Sequence, residues 1–297
     1  MTDRVVVLER PLDLAATLET LAHGRGDRTI RLARGEAWLA FRTADGPATV
    51  RLVHDEPLRL RASAWGPGGE RGLAAVPAVI GEQDEPERFV PAHRVLRDLQ
   101  RRHPGLRLPS SRRVLDALVP SVLEQKVTGT EAFRAYASIL RAHGEPAPGP
   151  MRLLLPPSPA RLASLPYYAL HPHGVERRRA TVISRAAARA AWLEQAADAT
   201  DARRRLTSMP GIGAWTAAEV LRSAFGDPDA VSVGDFHVPN MVAWALAGEP
   251  RGDDARMIEL LEPYRGQRGR VQRLLEVGRI SAPRYGPRLA PRSIAAI

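Results

Sequence analysis

Two short stretches of this chain hold residues whose types and spacing could do chemistry. In "MPGIG", Met209 to Gly213, two glycines follow Pro210 and stand directly before an alanine-rich helical pattern that opens on Trp215. A helix N-terminus presents unpaired amides and partial positive charge. Glycines at Gly211 and Gly213 keep Cβ atoms out of the way of an approaching anion. The chemistry on offer is the gripping of a phosphate, with Arg203, Arg204 and Arg205 adding charge from just upstream. The same residues also fit an ordinary Pro-Gly turn that caps a helix. The second stretch is "VSVGDFHVPN", where Asp235 stands alone among apolar neighbours. A carboxylate there either caps the next helix or is a fixed negative charge beside a site.

Other chemistries are narrowed by what is missing. The chain has no cysteine, which removes disulfides, thiolate zinc sites, iron–sulfur clusters and cysteine nucleophiles. Lys126 is the sole lysine, so a Schiff-base mechanism could use only Lys126 or the chain terminus. His171 and His173 lack partners for a metal site. Together with Tyr167 and Tyr168 they form either a second ligand-facing loop or a packed helix junction.

The elements that must position these groups fall into two parts. Residues 1–90 alternate apolar and polar positions in "DRVVVLE", "TIRLARGEAWLAFRT", "ATVRLVH" and "LRLRASAW", the period of an antiparallel sheet. "LDLAATLETLAHG" reads as a helix closed by Gly24. The polar "GEQDEPE", Gly81 to Glu87, marks the boundary. Residues 91–280 read as helices throughout with no convincing strand, "GVERRRATVISRAAARAAWLEQ" being one long helix. Residues 281–297, rich in proline and arginine, read as a loosely held tail. The fold class is therefore α+β: a small N-terminal α+β domain before an all-α body.

Charge separates the same two parts. The net charge is +10, yet residues 1–95 carry 13 arginines against 14 acidic groups, while residues 96–297 carry 30 basic and 19 acidic ones. A positive face of that size suits a polyanion. No apolar run approaches the roughly 18–20 residues of a membrane span. The N-terminus does not read as a secretory signal, so a cytoplasmic protein is expected.

The pattern "LxxxPGIGxWTA", the hydrophobic stretch after it and "VGDFH" resemble the helix-hairpin-helix DNA glycosylases, which have a Gly/Pro-rich loop and a catalytic aspartate. Within that superfamily the chain looks like the bacterial 3-methyladenine DNA glycosylase II family. Gly105-Leu106-Arg107-Leu108-Pro109 matches its "GLRLP" stretch. Val122 to Thr128, "VLEQKVT", matches its Gln-containing insertion loop, and residues 1–90 match its N-terminal domain in position and type. The hairpin with its spaced aspartate is the specific part of the match; the N-terminal part is loose.

The resemblance implies an enzyme that flips an alkylated purine out of duplex DNA and hydrolyses its N-glycosidic bond, leaving an abasic site. Asp235 would be the catalytic carboxylate, and Trp215 and Glu219 would line the base pocket. Pro210, Gly211, Ile212, Gly213 and Thr216 would hold DNA at the hairpin, with Gln125 and Lys126 reaching it from the insertion loop. No cofactor is required. A structural monovalent cation, sodium or potassium, would sit on the carbonyls of Thr207, Met209 and Ile212. Lyase-type relatives carry a lysine where this chain has Trp215, which implies a monofunctional enzyme. The partner would be double-stranded DNA containing damaged bases, bound by a monomer without a membrane. The chain departs from the family at two points. Lys126 replaces an apolar wedge residue, and Glu219 replaces an aromatic pocket wall. These departures leave open a different lesion, oxidised or deaminated, or a catalytically inactive DNA-binding protein.

Overall fold

The computed structural model describes residues 1–283. The expected tail, 281–297, lies outside the described residues from position 284 on. Strands β1 (Thr2–Val7), β2 (Ile30–Ala33), β3 (Glu36–Thr43), β4 (Gly46–Glu56) and β5 (Arg59–Trp65) form one antiparallel sheet in the order β1-β5-β4-β3-β2. Helix α1 (Leu14–Leu18) precedes β2, and its pattern continues into a 3-10 turn over Glu19–Leu21. Asp13 caps it, accepting the Ala16 amide at 3.0 Å. After β5 comes α2 (Gly69–Val79), which the sequence reading leaves out. Gly69, Gly72 and Pro77 disfavour a helix there. Burial of Leu73, Val76 and Val79 against the sheet outweighs that weak propensity.

The body follows as α3 (Arg94–Arg102), α4 (Val114–Leu123), α5 (Gly129–His143), the strand pair β6 (Glu145–Pro146) and β7 (Leu154–Leu155), then α6 (Pro159–Ser164) and α7 (Arg177–Ala188). It continues with α8 (Ala190–Glu194), α9 (Ala199–Thr207), α10 (Ala214–Ala224), α11 (Val238–Ala247), α12 (Asp254–Leu261) and α13 (Arg268–Val277). Among the described residues no helix is long and apolar enough to cross a membrane.

Two expectations are corrected. The turn-rich loop after α5 pairs Glu145 with Leu155 and Pro146 with Leu154, because Leu153 and Leu155 fold back against Trp38 and Ala40 on the outer face of the sheet. The expected long helix is two, α7 and α8, broken at Arg189 (φ −111°, ψ 15°). The break lets Glu194 accept the amides of Val114 and Leu115 at 2.9 and 2.8 Å. A carboxylate 80 residues away thus supplies the cap that α4 lacks locally.

The sheet is bound to the body through arginines. Buried Arg107 donates to the carbonyls of Arg10 and Pro11, Arg273 pairs with Glu19 at 3.0 Å, and Arg113 lies 4.1 Å over the Phe41 ring. Arg270 and Asp84 form an ion pair in which both side chains are 4% exposed. Asp84 belongs to the polar stretch read as a boundary. That stretch is therefore clamped to α13, since removing either partner would strand a buried charge.

Candidate active site

α9 and α10 form a helical hairpin around Pro210–Gly213. Asp198 caps α9, accepting the Asp201 amide at 2.8 Å. The Ile212 amide closes the turn on the Met209 carbonyl at 3.1 Å. Met209 and Ile212 are 5% exposed and anchor the loop in the core. The two glycines differ in kind. Gly211 has φ +94°, and a Cβ there would meet Val182 Cγ2 of α7 at 2.4 Å. It is required by the fold. Gly213 has an extended φ of −98° and open space where a Cβ would go. Nothing inside the protein asks for its lack of side chain, and it leads directly into the first turn of α10. Gly211→Ala is accordingly expected to cost about 1–3 kcal/mol in a thermal or urea melt. Gly213→Ala should cost no more than about 1 kcal/mol, as a poorer cap, and should weaken binding of any anion at the loop.

Asp235 fills the first of the roles that the sequence leaves open, and its second oxygen is held by the hairpin helix. Oδ1 accepts the amides of His237 and Val238 at 2.7 and 2.9 Å, capping α11. Oδ2 accepts Trp215 Nε1 at 3.0 Å. The loop beneath is fixed by the Gly234 amide, which donates to Asp254 at 2.9 Å. Trp215, on the first turn of α10, is half-buried and presents its ring edge to the carboxylate. The hairpin and the aspartate are thus joined by one hydrogen bond.

Gln125 also closes on the hairpin. Its Nε2 donates to the Gly211 carbonyl at 3.0 Å and to Thr216 Oγ1 at 2.8 Å. Both amide hydrogens are therefore engaged inside the protein. Thr216 is 2% exposed, so its side chain supports the hairpin from within rather than facing outward. Lys126, next in the chain, is exposed and holds φ +57°, an uncommon conformation for a side-chain-bearing residue. Pro210 and Gly211 face outward.

Glu219 has a different setting from the expected pocket wall. It accepts from Ser232 Oγ and from Arg222 at 3.2 Å. Arg222 also binds Glu276 of α13 at 2.5 Å, and Gln272 bridges Ser232 and Glu276 at 2.8 and 2.9 Å. Burial disfavours ionisation of Glu276, but Arg222 and Arg273 outweigh it and hold the carboxyl below its usual range. The three arginines upstream of the hairpin are likewise committed. Arg203 pairs with Asp227 at 3.3 Å, and Arg204 and Arg205 pair with Asp201 at 2.5 and 2.8 Å. The charge expected from them at the hairpin is largely neutralised.

Two residues escaped the sequence reading. Glu124, just after α4, lies 3.9 Å from His23 of the N-terminal unit. Burial pushes its carboxyl up to about 7; Glu219 and Asp235 add to the rise, and Arg222 opposes it. Phe236, beside Asp235, is 76% exposed with its ring against His237. Tyr167 and Tyr168 are exposed, whereas His173 packs against Ser138 at 2.8 Å.

No family model matches the chain. Among curated proteins it is 27% identical, over 233 residues, to a probable bifunctional transcriptional activator/DNA repair enzyme AlkA of Mycobacterium tuberculosis. That match covers 75% of this chain and 45% of the relative, so the chain spans about half the length of the curated relatives it matches. Among solved structures, a 3-methyladenine DNA-glycosylase from Archaeoglobus fulgidus superposes with a TM-score of 0.78 at 19% identity, covering 93% of this chain and 98% of that one. An apo 8-oxoguanine glycosylase/lyase of Clostridium acetobutylicum gives 0.70 at 10% identity, covering 93% and 96%. The chain has the fold of the helix-hairpin-helix glycosylases, and the α+β class read from its sequence holds.

Proposed function

We propose that this helix-hairpin-helix chain is a monofunctional DNA glycosylase that releases alkylated purines of the 3-methyladenine type from duplex DNA by hydrolysing the N-glycosidic bond. The observation that carries the reading is the 3.0 Å bond from Trp215 Nε1 to Asp235 Oδ2, which ties the anion-gripping hairpin to a fixed carboxylate. A duplex strand held by a phosphate at Gly211–Gly213 would present a flipped nucleotide beside Asp235. Leaving of the base develops positive charge on the sugar. The Asp235 carboxylate, held by two amides and an indole N–H, stabilises that charge without having to reorganise. An N-alkylated purine carries positive charge already and departs without a strong general acid.

The carbonyls of Thr207, Met209 and Ile212 are hard oxygen donors of the kind that suits an alkali cation. The Met209 carbonyl keeps one lone pair beyond the Ile212 amide. A sodium or potassium ion held there would strengthen the loop's attraction for phosphate.

Incubation of the purified protein with methylated genomic DNA should liberate 3-methyladenine, identified by mass spectrometry, and leave the strand unbroken. Borohydride should trap no covalent adduct, because the sole lysine, Lys126, belongs to the insertion loop and Trp215 occupies the lyase position. A trapped adduct would replace hydrolysis with lyase chemistry; no base released from any lesion would leave a DNA-binding protein.

One observation favours a second reading, a neutral deaminated purine as substrate. Glu124, close enough to Glu219 and Asp235 to feel their charges and with its carboxyl pushed up to about 7, is about half protonated at neutral pH and would be the donor such a leaving base needs.

A further inference from the structure

Some of the chain's many arginines have no partner among the described residues. Most of the arginine clusters of the helical body are engaged. Arg101 pairs with Asp98 at 2.5 Å, and Arg102 donates to the Asp98 carbonyl. Arg112 donates to the carbonyls of Ala196 and Ala197. Arg203, Arg204 and Arg205 pair with carboxylates. In the cluster on α7, Arg179 points inward and is 4% exposed, donating to the Leu123 carbonyl and to Glu176 at 2.5 Å each. Its neighbours behave differently. Arg178 and Arg185 are exposed, and neither has an ion pair or side-chain hydrogen bond among the described residues. Arg177 is exposed and lies 4.8 Å over the Tyr167 ring, with no carboxylate partner among the described residues.

These side chains share one groove. Arg177, Arg178, Thr181, Val182 and Arg185 form one wall and Pro210 and Gly211 of the hairpin form the other of an open groove of about 550 Å³. The walls are in direct contact, since the missing Cβ of Gly211 is what lets Val182 approach. Arg185 stands in the last turn of α7, where a positive charge suits the dipole, but Arg177 and Arg178 do nothing for the helix. Positive charges in a first turn oppose the helix dipole, and that turn holds no acidic residue.

We propose that the outer face of α7 is a second phosphate track, gripping the DNA backbone next to the phosphate held at the hairpin through Arg178 and Arg185, with Arg177 at its entrance. The inference rests on the glycosylase reading of the hairpin. It adds a binding surface that lengthens the footprint along the duplex on the α7 side. Guanidiniums without carboxylate partners lose no ion pair when a phosphate arrives, and each phosphate neutralised releases condensed counterions.

The test measures the Kd of a fluorescent duplex carrying an abasic-site analogue at several salt concentrations. The variants are Arg178→Ala/Arg185→Ala, Arg178→Lys/Arg185→Lys and a control, Arg31→Ala/Arg34→Ala, which removes equal charge from the exposed β2–β3 edge. The track predicts that the alanine pair weakens binding about 10-fold at low salt and reduces the slope of log K against log salt by about 1.8, two phosphates at about 0.9 each. The lysine pair, which keeps the charge, should recover most of both. Shortening the duplex on one flank should erase the difference between wild type and the alanine pair. An unchanged slope in the alanine pair, or an equal loss in the control, overturns the track. Failure of the wild-type protein to bind the duplex would instead overturn the glycosylase reading, so the two failures are distinguishable.

Discussion

Replacing Asp235 by asparagine is expected to lower base release by about 10³-fold while duplex binding persists. The choice of asparagine follows from how the carboxylate is held. Oδ1 accepts the amides of His237 and Val238 and caps α11. An asparagine oxygen can accept both, so the helix start and the loop survive, whereas alanine would lose the cap at about 1 kcal/mol. What asparagine removes is the negative charge at Oδ2 and the acceptor for Trp215 Nε1. A companion variant separates those two losses. Trp215→Phe deletes the hydrogen bond, keeps the charge, and should reduce release by about 10-fold through looser positioning. Single-turnover rates on methylated duplex, with thermal melts as the folding control, check both. Undiminished turnover by Asp235→Asn would remove Asp235 from the chemistry. Equal losses in the two variants would mean that the bond, not the charge, matters.

This ordering of effects shows where the sequence was readable. The hairpin was legible because glycine spacing and proline carry backbone information locally, and the sheet because alternation is a local pattern. Asp235 could be singled out as a lone carboxylate, but the cap could not be told from the proposed charge stabilisation, because both ask for the same residue in the same place. The remainder of the site depends on contacts between distant segments. Gln125 reads as a DNA-facing residue until Gly211 and Thr216 are seen to engage its amide. Arg203, Arg204 and Arg205 read as free charge until Asp201 and Asp227 are seen beside them. Glu219 reads as a pocket wall, and only the fold brings Ser232 to it and links it through Arg222 to Glu276. Helix α2 was missed for a related reason: its glycines and proline speak locally against a helix, and only the sheet it covers speaks for one.

Glu124 is the residue for which distance in sequence hid most, and it yields the other large effect. Its carboxyl sits at about 7, against an ordinary value near 4.5, chiefly because burial penalises the charge. The groups around it are His23, held neutral by burial against the pull of Asp27, with Glu219, Asp235 and Arg222. A carboxyl whose value is raised by folding favours the native state when protonated. That contribution is full below about pH 4.5 and is lost as pH rises through about 7. Glu124→Gln should therefore match wild type in urea denaturation at pH 5 and exceed it by about 2–3 kcal/mol at pH 8.5. Catalysis should follow the same titration in opposite directions for two substrates. Below pH 7 a protonated Glu124 can give a hydrogen bond or proton to a neutral base such as hypoxanthine. Above pH 7 its charge joins those of Glu219 and Asp235, so a cationic methylated purine is attracted and a neutral base is left without its donor. The ratio of hypoxanthine to 3-methyladenine release should fall about 10-fold between pH 6 and 8.5, and Glu124→Gln should flatten it. A ratio that does not move with pH in the wild-type protein would place Glu124 outside the reaction. The stability difference would still hold in that case, because it depends on burial and the neighbouring charges and not on the reaction.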